Sequence, residues 1–428
     1  MSLTTTLTQD FAEQFPELSH ATVGAEFPDA HFLATNDALA DELGISLDNV
    51  QDFIGQPGYA LGYSGHQFGG FSPVLGDGRA MLLGELDTKG NGKRQDMVDI
   101  HLKGSGRTPY SKPQADGKLP LGAALREMLI SEFLHTQNIP STRTLAVIGT
   151  GEQLATPRNK SGSPFPPGAI AVRVATHHIR VGTFQHAALR SPELVSRLVN
   201  YSLERGGIDP GDNPVTTVYS HVLESQARLI ASWMRLGFVH GVLNTDNVSI
   251  AGESIDFGPC AFLDRFDPHA VFSSIDRQGR YAYDKQSSIT QWNLARFAEA
   301  LIPTWGEDTD TGVEALSKQL QRYPDLYYHA YTAEMTNALG PNWQEHLQSL
   351  DESTDYAAYL HEVSPHNPLL IPRNQPVQEA LNAAEDGDLS SFNEIYDALL
   401  NPLQATGQVK ADLAHARDEA GFTSYCGT

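Results

Sequence analysis

The 428-residue chain carries 29 basic against 52 acidic residues, a net charge of -23 that excludes broad electrostatic attraction to nucleic acid or an anionic membrane. With 40% apolar residues, 37 Gly and 25 Pro, it reads as an ordinary globular chain, too long for one core, so two lobes around a cleft are expected. Two cysteines, Cys260 and Cys426, exclude a disulfide scaffold; with no leader-like start and no bilayer-length apolar run, a reducing cytoplasm is the expected compartment.

Residues 1–58 read as an N-terminal extension packing on the lobes, and 59–190 as a nucleotide-binding lobe. Glycine is dense between Tyr59 and Gly84, where Gly76-Asp77-Gly78-Arg79 can form a turn whose N–H groups face an anion. Neither a Walker A nor a G-x-G-x-x-G pattern is present. From Met97 to Lys103, Val98, Ile100 and Leu102 alternate with Asp99, His101 and Lys103, the period of a half-buried strand with Lys103 on its polar face. Pro120 opens a helix that carries Glu127 and closes at Asn138 and Pro140. Lys103 on a strand followed by Glu127 on a helix reproduces the order of a kinase's phosphate-binding Lys and its partner.

A Pro/Ser/Gly-rich loop, Pro157 to Gly168, precedes a strand-like run from Ala169 to Ala175. It carries Arg173 and is followed by Arg180, two side chains suited to bidentate phosphate contacts. His177 and His178 are neighbours on extended chain, so they point apart and read as structural. From Ser191 the pattern turns helical, with long amphipathic stretches near His221 to Leu236 and Ile289 to Leu301. Residues 191–365 form the second expected lobe and 366–428 a helical region and tail.

The run from His240 to Asn247 keeps the His and Asn spacing of the kinase catalytic loop, H-R-D-x-x-x-x-N, and Asp256-Phe257-Gly258 follows nine residues later. Val248-Ser249-Ile250 and Ser254-Ile255 suggest two short strands turning at Ala251-Gly252, a register that sets Asn247 opposite Asp256. Opposed residues stand about 4.5–5.5 Å apart at Cβ, close enough to share one Mg²⁺ or Mn²⁺ through hard oxygen ligands. Val242 occupies the position of the kinase base, and Asp246 is the nearest carboxylate that could replace it.

These residues strongly resemble the selenoprotein O (SelO, YdiU) family of pseudokinase-fold protein adenylyltransferases. The resemblance runs through Gly65 to Gly69, Leu75 to Ala80, Leu102 to Gly106, Arg126-Glu127, Arg173 to Ala175 and His240 to Gly258, and more weakly through Asn367-Pro368 and Arg373-Asn374. It implies an α+β, protein-kinase-like bilobal fold with a mixed N-terminal lobe and a mainly helical C-terminal lobe. It also implies ATP bound in a flipped orientation and AMP transferred to Ser, Thr or Tyr hydroxyls of proteins, with Mg²⁺ or Mn²⁺.

Carried over, Gly76, Gly78, Arg79, Lys103, Asp116, Gly117, Arg173 and Arg180 would hold the nucleotide, with Glu127 pairing Lys103. Asp246 would be the base, and Asn247 and Asp256 the metal ligands. The resemblance further implies a reversible disulfide between Cys260 and Cys426. Three alternatives stay open: uridylyl transfer at the same site, a kinase-like phosphotransferase, and a non-catalytic nucleotide-binding scaffold. No nucleic-acid or membrane partner is expected.

Overall fold

The computed structural model describes residues 6–155, 165–417 and 422–424. Its elements run α1 (Asp10–Gln14), β1 (Ser19–Val23), β2 (His31–Thr35), α2 (Asp37–Leu43), β3 (Pro57–Leu61), β4 (Gly65–Gln67), β5 (Gly70–Ser72), β6 (Ala80–Asp87) and β7 (Met97–Lys103). Then come β8 (Leu119–Pro120), α3 (Leu121–Thr136), β9 (Arg143–Gln153), β10 (Pro167–Ala175) and α4 (Val181–Ala188). Among the described residues one antiparallel sheet runs β1-β3-β6-β7-β10-β9-β2, with β8 also on β10, while β4 and β5 form a separate hairpin.

Side chains alternate across a strand, and here both faces find cover. Met81, Leu83, Ile100, Leu102, Ile148, Ile170 and Val172 form one core with Phe27, Leu39, Ile45, Phe53 and Ile54 from the N-terminal residues. Leu82, Val147, Ala169 and Ala171 join the other core, with Leu125, Met128, Leu129 and Phe133 of α3. Each such side chain contributes roughly 1.5–3 kcal/mol on full burial. Residues 6–58 therefore supply two edge strands and the outer layer of the sheet.

The half-buried strand expected over Met97 to Lys103 is corrected on its polar side. Asp99, His101 and Lys103 point away from the outer core, yet all three are buried. Polar groups without water require partners. Asp99 is bound by His178 at 3.0 Å and Arg205 at 2.9 Å, and His101 by Asp77 at 3.0 Å. His178 also stacks on His101 with centroids 4.1 Å apart, which gives it the structural role read from sequence.

The second half is helical: α5 (Pro192–Gly206), α6 (Pro214–Leu236), the two-residue ladder β11 (Phe238–Val239) and β12 (Ala261–Phe262), α7 (Gln286–Leu301), α8 (Thr309–Leu320) and α9 (Tyr323–Leu339). Shorter helices α10 (Trp343–Gln348), α11 (Tyr356–Val363), α12 (Asn374–Glu385), α13 (Ser390–Leu400) and α14 (Gly407–Ala414) complete it. The start of α6 precedes His221 by about two turns because Asn213 caps the N–H groups of Val215 and Thr216 ahead of Pro214. At its other end buried Trp233 donates to Ser254 Oγ at 3.0 Å, tying α6 to the segment expected to carry chemistry.

The hairpin expected at 248–255 is absent. Val248 and Ile250 instead bond Val181 and Ile179, through Val181 N–H to Val248 O at 2.9 Å and Ile250 N–H to Ile179 O at 3.2 Å. Ser254 bonds Pro140 and Thr142 at 3.0 and 2.9 Å. Val248, Ile250 and Ile255 are all buried, so each arm is drawn to a different part of the first half and not to its neighbour. The antiparallel ladder forms further out, pairing Phe238 with Phe262 and Val239 with Ala261.

Candidate active site

Buried charge gathers where β7, β10 and α3 meet the segment after His240. In register, Lys103 lies opposite Ala171 and Arg173 opposite His101, which sets Lys103 and Arg173 on the same face. Lys103 Nζ reaches Glu127 Oε2 at 2.8 Å and Asp256 Oδ1 at 2.7 Å. Arg173 bridges the same two carboxylates. Arg180 Nη1 donates to Asp256 Oδ2 at 3.1 Å and to the backbone oxygen of Asp246 at 2.8 Å, while its guanidinium lies 4.6 Å from the Tyr63 ring centre.

Burial opposes ionisation at Glu127 and Asp256, but the neighbouring cations prevail. Arg173 and Lys103 lower the Glu127 carboxyl, and Arg173, Lys103 and Arg180 hold that of Asp256 well below the usual range. Three cations, Lys103, Arg173 and Arg180, are gathered here against Glu127, Asp256 and Asp77, a local basic cluster suited to phosphate on a chain of net charge -23. Asp256 also takes φ +67°, a left-handed conformation costing on the order of 1 kcal/mol at a non-glycine residue. Its three ion pairs hold it there.

The segment after His240 is fixed from every side. His240 Nε2 bonds Ile255 O at 2.8 Å, Asn293 donates to Leu243 O at 2.9 Å, and Phe68 N–H donates to Asn244 Oδ1 at 3.1 Å. Val242 is buried, so no carboxylate stands at the usual base position. Asp246 is 8% exposed, and its Oδ1 lacks a hydrogen-bond partner. Burial pushes its carboxyl up to about 6, and Arg180 only partly offsets this. A buried carboxylate at that pKa, with one oxygen free of donors, is suited to receive a proton near neutrality.

Asn247 donates through Nδ2 to Val242 O at 2.9 Å, which leaves its amide oxygen as the acceptor end. The strand register that set Asn247 opposite Asp256 is missing, so only their chemistry supports a shared ion. Among the described residues no three His, Cys, Asp or Glu side chains converge as a metal site. Two protein oxygens completed by nucleotide phosphates fit Mg²⁺ better than a closed protein cage does.

The glycine turn and the loop after β7 form one neighbourhood. Thr108 donates to Asp77 O and Ser111 to Gly78 O, so residues 108–111 bind the turn through Gly76 and Gly78. Gly76, at φ +77°, lies where a Cβ would enter the Tyr110 ring, so only glycine fits. Arg79 O accepts from Gly104 N–H at 2.7 Å, next to Lys103. Gly117 O accepts from Gly106 N–H at 3.1 Å, and Asp116 caps Lys118 N–H at 3.0 Å, which seats both on the same loop.

The family model for protein adenylyltransferase SelO matches residues 2–349. The chain belongs to the SelO family. It is 39% identical to the protein nucleotidyltransferase YdiU of Mycolicibacterium smegmatis over 99% of this chain and 98% of that one. It is 40% identical to the YdiU of Alcanivorax borkumensis over 87% and 88%, and 38% identical to that of Clostridium botulinum over 98% and 95%. As a SelO-family member the chain is a nucleotidyltransferase acting on proteins, and the family activity makes ATP its substrate. No described helix is long and apolar enough to cross a membrane.

Sequence reasoning missed several residues of this SelO-family site. Gln67, Asp77 and Thr245 lie within the runs that carry the resemblance but had no role assigned: Asp77 is buried beneath Arg180, Gln67 bonds the Asp246 carboxylate, and Thr245 beside it donates to Gln185, which no motif marks. Cys260 is fully buried, its thiol 3.0 Å from Phe257 O and raised by burial to about 12. Cys426 lies outside the described residues. Ser424 donates to Pro259 O at 2.7 Å and bonds Phe272, so the chain two residues before Cys426 lies beside Cys260.

Proposed function

We propose that this protein transfers AMP from ATP to Ser, Thr or Tyr hydroxyls of other proteins, using Asp246 as general base. The observation that carries the reading is the buried Asp246 carboxylate, whose Oδ1 has no hydrogen-bond partner, on backbone that Arg180 holds beside the Asp256 cation cluster. Lys103, Arg173 and Arg180 bind phosphate oxygens, and Glu127 keeps Lys103 and Arg173 aimed at them. Gly76, Gly78, Arg79, Asp116 and Gly117 line the nucleotide's path, with ATP flipped relative to a kinase so that the α-phosphate faces the acceptor. When bound, Mg²⁺ or Mn²⁺ neutralises phosphate charge, held by Asn247 and Asp256.

Asp246 removes the acceptor hydroxyl proton as that oxygen bonds the α-phosphorus; the bond to the bridging oxygen breaks and pyrophosphate leaves. A kinase-like bilobal frame, with lobes at 59–190 and 191–365, fits a sheet-rich first half and a helical second half. The tail contact at Pro259 supports a reversible Cys260 to Cys426 disulfide in a cytoplasmic enzyme. Mass spectrometry of an acceptor protein incubated with ATP and Mg²⁺ tests the reading. An adenylyl adduct on a hydroxyl residue is expected, and a phosphoryl adduct would overturn it.

A further inference from the structure

Beside Asp246 lies a closed ring of hydrogen bonds that no step of the transfer uses. His66 N–H donates to Thr245 Oγ1 at 2.7 Å, Thr245 Oγ1 donates to Gln185 Oε1 at 3.0 Å, and Gln185 Nε2 stands 2.9 Å from His66 Nδ1. The orientation of the Gln185 amide, Oε1 toward Thr245 and Nε2 toward His66, fixes the directions. Thr245 has one hydroxyl proton and gives it to Gln185, so the Gln185 amide turns its NH₂ to His66, whose Nδ1 must carry the lone pair. In this amide orientation the ring closes with His66 neutral and its proton on Nε2.

The surroundings favour that form. The rings of Phe71 and Trp292 stand 4.8 and 5.2 Å from His66. Burial first, then Arg296 and Arg280, disfavour the His66 charge, offset in part by Gln185. Thr245 is fully buried and Gln185 nearly so. On the same hairpin Gly65 approaches Asp246 so closely that a Cβ there would overlap Oδ1.

We propose that His66, Gln185 and Thr245 are positioning residues for the transfer, fixing the backbone at Thr245 and so aiming the adjoining Asp246 carboxylate, with Gly65 admitting the hairpin. This rests on the reading of Asp246 as base. A misplacement of about 1 Å at a reacting group can cost on the order of a hundredfold in rate, so a ring one residue away has the leverage required.

The test is single-turnover transfer from α-labelled ATP with Mg²⁺ to one fixed acceptor protein, alongside ATP affinity and thermal melting. Thr245→Val and Gln185→Leu are expected to lower kcat by roughly ten- to a hundredfold with ATP affinity unchanged. Thr245→Ser should restore most of the rate. Gln185→Glu is sharper, because a carboxylate accepts from Thr245 but cannot donate to neutral His66. The His66 proton should then move to Nδ1 and donate to the carboxylate, a tautomer change visible in ¹⁵N NMR that recloses the ring and keeps more of the rate than Gln185→Leu. Wild-type kcat in Thr245→Val and Gln185→Leu, or losses that match lost ATP affinity or folding and are not restored by serine, would overturn the positioning role. Wild-type transfer by Asp246→Asn would instead sink the reading of Asp246 itself.

Discussion

Lys103 Nζ lies 2.7 Å from Asp256 Oδ1, so the expected phosphate-binding lysine is held by the expected metal ligand. Nucleotide and metal together would separate them, the lysine passing to phosphate and the carboxylate to the ion. Asp256→Ala is therefore expected to abolish the Mg²⁺ dependence of ATP binding in calorimetry while metal-free binding persists on the released cations. It also leaves Lys103, Arg173 and Arg180 short of a buried counter-charge, which should destabilise the fold by about 3 kcal/mol. Unchanged Mg²⁺ dependence would remove Asp256 from the metal site.

Glu127→Gln keeps the size of the side chain but removes the charge that orients Lys103 and Arg173. Transfer is expected to fall about tenfold or more, with weaker ATP binding, since two phosphate-binding cations lose their anchor. Retained activity in steady-state assays would limit Glu127 to packing.

The Asp246 carboxyl titrates at about 6 because burial disfavours its charge. As a base it must be ionised, so transfer is expected to fall tenfold per pH unit below about 6. The stability effect has the opposite sign. The folded pKa lies above the ordinary 3.8, so the folded state binds more protons between about pH 4 and 6, and stability is lost as pH rises through that window. Asp246→Asn should then be more stable than wild type at pH 7, by up to about 3 kcal/mol, with the difference vanishing below pH 4. Equal melting temperatures at pH 7 would contradict the desolvated carboxylate.

Cys260 is fully buried with its thiol raised to about 12, so iodoacetamide at pH 8 should leave it unmodified in the native reduced protein and label it after unfolding. Peptide mapping reads this directly. Rapid native labelling would mean that the Pro259 to Ser424 contact opens readily.

Much of this architecture was legible in the sequence because it rests on local pattern. The β7 alternation, the Pro120 start of α3 and the order of Lys103, Glu127, Arg173, Arg180 and Asp256 each mark one element. Less legible was anything set by tertiary contact. Two short apolar arms at 248–255 look like a hairpin until Ile179, Val181 and Pro140 compete for their backbone. A polar strand face looks solvated until Asp77, His178 and Arg205 arrive from distant segments to pair it. The ring around Thr245 joins residues up to 179 positions apart, and no spacing rule reports it.

The most direct measurement is parallel incubation of the protein and an acceptor with ATP labelled at the α- or the γ-phosphate, with and without Mg²⁺, read as covalently retained label. Retention from the α-position alone, lost in Asp246→Asn, is the expected result. Retention from the γ-position alone would contradict adenylyl transfer and return the site to phosphotransfer.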